Sequence, residues 1–61
     1  MNRPMEIIKV IYWMDQKREH QKELTLNVRT GLDFREKVEV AHEHLLLKIG
    51  YYWEMKVKEV L

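Results

Sequence analysis

The 61-residue sequence contains no cysteine and no serine. The first absence excludes disulfides, thiolate metal sites and thiol chemistry. The second removes the commonest hydroxyl nucleophile. Proline occurs once (Pro4) and glycine twice (Gly31, Gly50), so the chain carries little punctuation. No apolar run approaches the roughly 18–20 residues that span a bilayer, and no signal-peptide pattern opens the sequence. An intracellular setting is therefore expected. An excess of one charge is missing too: 11 Lys and Arg stand against 10 Asp and Glu, a formal net charge of +1. By bulk charge this is neither a polybasic nucleic-acid arm nor an acidic mimic of DNA. What is present is the balance of a folded domain, with 46% hydrophobic and 34% charged residues.

Length sets a further bound. A single domain of this size buries only about 60% of the surface its unfolded chain exposes, and its core rarely supplies more than roughly 3–5 kcal/mol. With no disulfide and no evident metal, self-association is the remaining source of stability. A homodimer of one 1–61 domain is the default expectation.

The clearest element is central. Asp33 followed three residues later by Glu36 forms a capping-box start, and Gly50 stands where a helix-terminating glycine belongs. Between them Phe34, Val38, Ala41, Leu45 and Ile49 recur at spacings of four and three, one stripe of an amphipathic helix. The tail has the other period. Tyr51, Trp53, Met55 and Val57 alternate with Tyr52, Glu54, Lys56 and Lys58, which predicts a half-buried strand. Leu24, Leu26 and Val28 alternate with Thr25, Asn27 and Arg29 and predict another.

The segment from Ile7 to Trp13 is rich in β-branched and aromatic residues and favours a strand over about 6–14. Met14 to Glu23 would be helical by propensity, and a continuous helix from Pro4 to Leu24 would give an all-α helical hairpin. Its stripe fails, because nothing apolar follows Met14 until Leu24. The expected fold is α+β, in the order β-β-α-β, with a polar connection near 15–22. Three strands form one antiparallel sheet and the helix packs on one face.

Two apolar surfaces are left over. The first strand is apolar on both sides, with Ile8, Val10, Tyr12 and Met14 on one and Ile7, Ile11 and Trp13 on the other, interrupted by Lys9. One helix can cover only one side. On the helix, Val40 and Leu47 lie two turns apart, roughly opposite the core stripe and beside Glu36, Glu43 and His44. Scattered exposed apolar residues are ordinary. Contiguous ones on so short a chain point to a dimer or partner surface, and aromatics and Met are enriched at interface cores.

Catalytic chemistry finds no foothold. His42 and His44 are two residues apart, about 200° around a helix, and cannot share a metal, which requires an i,i+4 pair. His20 falls in the polar connection. The carboxylates lie along solvated faces with nothing to place two in a cleft, and no glycine-rich phosphate loop exists. Pro4 is internal and lacks the free amine of the proline-dependent tautomerases. No enzyme activity, cofactor or metal is expected. Nucleic-acid binding is a more serious rival. If Lys9, Ile11, Trp13, Arg29, Tyr52, Lys56 and Lys58 share the open sheet face, they form a basic, aromatic platform able to stack bases.

The β-β-α-β order resembles small bacteriophage proteins that disable a host enzyme, among them a short inhibitor of bacterial RNA polymerase. The closer resemblance is to the uracil-DNA glycosylase inhibitors of Bacillus phages, through Gly31-Leu32-Asp33-Phe34 at the helix entry and Lys56-Val57-Lys58-Glu59-Val60-Leu61 at the end. The resemblance implies a dimer whose helices form an apolar cavity that captures the DNA-intercalating leucine of the glycosylase. It implies a partner-binding role for Phe34 and Glu36 at the helix start, and the bacterial cytoplasm as the setting. The slight basicity departs from those acidic inhibitors, and the helix is longer. The sequence reading is thus a non-enzymatic protein-binding module, dimeric, with a host enzyme as partner. Its alternatives are a single-strand nucleic-acid binder and a structural subunit of a larger assembly.

Overall fold

The alternations at the two ends of the chain become strands, and the capped segment between them becomes the helix. A computed structural model describes residues 4–59. The order is β1 (Met5–Trp13), β2 (Gln21–Arg29), α1 (Phe34–Lys48) and β3 (Glu54–Glu59). The strands form one antiparallel sheet in the order β2-β1-β3. The all-α hairpin is not supported. β1 and β2 pair one for one from Met5 opposite Arg29 to Trp13 opposite Gln21, without a bulge. β2 therefore runs longer than the alternation around Leu24–Val28 suggests, β1 sits one residue earlier than expected at the same length, and the connection falls at residues 14–20.

The register sorts the side chains. Ile8, Val10 and Tyr12 of β1 share one face with Leu24, Leu26 and Val28 of β2 and with Met55 and Val57 of β3. Helix residues Ala41 and Leu45 close over this face, and the resulting core includes Ile8, Val10, Tyr12, Val28 and Val57. Ile8, Val10 and Leu45 are fully buried. Burying each is worth roughly 2 kcal/mol before chain entropy is counted.

The helix ends are built as the sequence predicts. The Glu36 backbone N–H donates to Asp33 Oδ1 at 2.8 Å, and the Asp33 N–H donates to Glu36 Oε1 at 3.1 Å. Two otherwise unpaired donors are thus satisfied reciprocally. At the other end Gly50 adopts φ +88°, and its N–H donates to the Leu45 carbonyl at 3.2 Å. A side chain there would be strained in this left-handed conformation.

The core stripe differs from the expected one at both ends. Phe34 is 56% exposed and Ile49 is also exposed. The position that turns inward beside Val38 is Lys37, only 6% exposed. Its ammonium lies 2.7 Å from Glu59 and 2.9 Å from Glu6, acidic residues on two strands of the helix-facing side. The tail also departs from its pattern. Residues 51–53 are not strand. The Trp53 N–H donates to the Trp13 carbonyl at 2.8 Å, at the point where β3 joins β1. Tyr51 and Trp53, expected on the inner face with Met55 and Val57, are exposed.

Candidate functional site

The helix covers one sheet face unevenly. Its backbone comes closest to β3. On the β2 side it leaves an open groove of about 450 Å³ whose apolar floor includes Val28, Leu32 and Val40. Glu36, Glu39 and Glu43 project along the same wall, and the edge of β2 at Asn27 and Arg29, residues whose register belongs to the other sheet face, forms the opposite rim. Spacings of three and four place these carboxylates on one helix face with Val40. Carboxylates that the sequence reading spread along solvated faces are therefore lined up beside one groove.

Of the six helix residues singled out as partner-binding, Glu36, Val40 and Glu43 meet in this groove. Leu47, 88% exposed, is not part of its lining, and His44 is half-buried. Phe34 lies elsewhere. It lines a second, smaller depression with Val38 against Met55, Lys56, Val57 and Lys58 of β3. The helix thus presents an acidic groove towards β2 and an aromatic edge towards a lysine-bearing strand.

The opposite sheet face carries Ile7, Lys9, Ile11 and Trp13 of β1, Glu23, Thr25, Asn27 and Arg29 of β2, and Glu54, Lys56 and Lys58 of β3. Among the described residues no element packs over it, yet Ile11 and Trp13 are buried, Trp13 to 8% exposure. Long polar side chains close over Trp13. The Arg18 guanidinium and the Lys56 ammonium each lie 5.8 Å from the Trp13 ring centroid. Such contacts combine cation–π attraction with coverage by the aliphatic stems. Arg18 reaches this place from a left-handed backbone conformation, φ +56°. It is held there by backbone bonds to Asp15 and an ion pair with Glu54.

Of the residues proposed for a nucleic-acid platform, Lys9, Arg29, Lys56 and Lys58 share this face. Tyr52 does not. It packs on the core at the helix side, edge-on to His42 with ring centroids 5.6 Å apart and a hydrogen bond joining its hydroxyl to His42 Nδ1. The cause is the irregular stretch 51–53, which breaks the two-residue period that placed Tyr52 with Lys56 and Lys58. With Trp13 covered, the face is basic but offers no exposed ring among these residues.

Two ionisable groups depart from their ordinary behaviour. Hydrogen bonds to Glu59 and Glu6 raise the Lys37 pKa above the usual 10.5, more than burial lowers it. Burial raises that of Tyr52. Neither shift brings a group towards neutrality, where general acid–base work is done. Among the described residues, no three His, Asp or Glu side chains gather as a metal-holding cluster. No described helix is long and apolar enough to cross a membrane.

The sequence reading missed Lys37, Arg18 and the His42–Tyr52 pair. Each depends on a partner distant in the chain, and no local spacing signals it. Comparison of the chain with family models, curated proteins and solved structures returns no match.

Proposed function

We propose that this chain is a non-enzymatic protein-binding module, dimeric, that acts by occupying the functional surface of another protein. The observation that carries this reading is the groove between β2 and α1. It joins an apolar floor at Val28, Leu32 and Val40 to a wall of three glutamates. An apolar side chain flanked by lysine or arginine is the complementary ligand. Nucleic-acid enzymes present that combination, because their binding clefts are basic. The resemblance of Gly31-Leu32-Asp33-Phe34 to the phage glycosylase inhibitors supports the same class, and makes a bacterial uracil-DNA glycosylase the most concrete partner.

The test is capture of purified glycosylase and of proteins from nuclease-treated bacterial lysate, with Val40→Lys beside the wild type. A lysine on the groove floor should weaken a specific partner by about 30-fold or more, the scale of an interface hot spot. Capture that survives Val40→Lys would move the surface elsewhere. Absence of glycosylase inhibition by the wild type would remove that enzyme alone.

A second reading, binding of single-stranded nucleic acid, is favoured by the placement of Lys9, Arg29, Lys56 and Lys58 on one face. It is the weaker one, because Trp13 is covered. Under that reading, binding falls steeply with salt and responds to Lys56 and Lys58 rather than to Val40.

A further inference from the structure

Among the described residues the sheet ends in two free edges, β2 and β3, and they differ in how they are defended. β3 is six residues long with Lys56 and Lys58 on its open face. A second copy laid antiparallel on β3 about Lys56 would oppose Lys56 to Lys56. Laid about Val57, it would oppose Lys56 to Lys58. Like charges directly opposite destabilise a pair, and edge lysines are a common guard against such pairing.

β2 has no such guard. It spans nine residues, contains no proline, and pairs with β1 without a bulge, so its outer row of backbone groups is regular and open. A strand of this kind is a ready template for another. Its sequence is also complementary to itself. About a two-fold axis at Leu26, Glu23 falls opposite Arg29 of the second copy, and Arg29 opposite its Glu23. Thr25 falls opposite Asn27 on the same face. On the helix-facing side Leu24 meets Val28 and Leu26 meets Leu26. Within Glu23–Arg29 both charged residues are opposed by their opposites and every apolar one by an apolar one; Lys22, towards the strand's end, falls opposite Thr30 and meets no like charge.

The packing agrees. Leu24 and Leu26 are only half-buried, because the helix leans towards β3 and leaves the β2 side open. A continued sheet would complete their cover.

We infer that a second copy of this chain pairs antiparallel with the free edge of β2, centred on Leu26, to make one six-stranded sheet. The inference rests on the dimeric part of the reading above and names the surface that makes the dimer. A two-fold axis normal to the sheet leaves both helices, and both acidic grooves, on the same side.

The experiment uses the purified chain alone, so it is independent of whether any outside partner exists. Sedimentation equilibrium over a range of concentrations should show a monomer–dimer equilibrium. Glu23→Arg and Arg29→Glu each convert both symmetric attractions into repulsions and should weaken it about tenfold. The combined swap restores opposite charges and should return association to near the wild-type value. Circular dichroism of each variant confirms the fold, both positions being exposed.

The register has its own readout, since the chain has no native cysteine. A mixture of Thr25→Cys and Asn27→Cys chains should cross-link on mild oxidation, and neither should do so alone. A chain monomeric at every concentration, a dimer indifferent to both single swaps, or cross-linking by Thr25→Cys alone would each overturn the assignment.

Discussion

Lys37 shows what a single position can hide. By sequence it is one more charge on a charged helix, and nothing local marks it as buried. It turns inward because Glu6 and Glu59, 31 and 22 residues away in sequence, stand on two strands at the height of its ammonium. Removing those acids is therefore worse than removing the lysine. Lys37→Met keeps the length of the side chain and discards the buried charge, whereas Glu6→Gln with Glu59→Gln strands an ammonium without counter-charge. The double variant should melt below Lys37→Met.

The pH dependence follows from the raised Lys37 pKa. The folded state holds this proton more tightly than the unfolded chain. The contribution is thus complete below the ordinary value of 10.5 and is lost as pH rises through the higher folded value. Tyr52, raised by burial, adds a loss of the same sign. Urea midpoints measured from pH 8 to 11 should fall more steeply above about pH 10.5 for the wild type than for Lys37→Met. Parallel curves would show that the ammonium is not responsible.

At the scale of elements, legibility depended on whether the signal was local. The helix start was legible because both partners of the capping box, Asp33 and Glu36, sit three residues apart. Their bonds close as read. Asp33→Ala should cost about 1 kcal/mol, and thermal denaturation should register about 4–8 °C in a domain of this size. A smaller change would mean that water or the Glu36 side chain caps the helix equally well. The strands were legible as strands, because alternation and β-branched content reinforce one another. Their ends were not. The polar stretch from Gln21 to Glu23 becomes strand only because β1 lies beside it to pair with, a long-range cause. The run Tyr51-Tyr52-Trp53 failed for the opposite reason. It alternates as a strand should, but the chain must leave the helix, turn at Gly50 and join β1 at Trp13. The geometry of that junction overrides the pattern and sends Tyr52 to His42.

At the scale of the whole molecule, one helix on a three-stranded sheet leaves surfaces unclosed, and the chain deals with them in different ways. The open face is sealed where it is most apolar, by Arg18 and Lys56 over Trp13. The β2 side of the helix stays open as the acidic groove, and half of that candidate site was legible. Glu36, Val40 and Glu43 share a helix face by spacing, but Val28, Leu32 and Arg29 join them only through the fold. So small a core also leaves little reserve, since domains of this length rarely net more than roughly 3–5 kcal/mol. Leu45 is fully buried in it. Leu45→Ala should cost about 2–5 kcal/mol, comparable with the entire stability, and should leave a chain largely unfolded at 37 °C. Leu47→Ala, two positions on and almost wholly exposed, should change stability by less than about 0.5 kcal/mol. The comparison is made by urea unfolding at two protein concentrations, because a dimer raises the midpoint with concentration by mass action. Equal losses in the two variants would mean that Leu47 is covered in solution by a second copy of the chain.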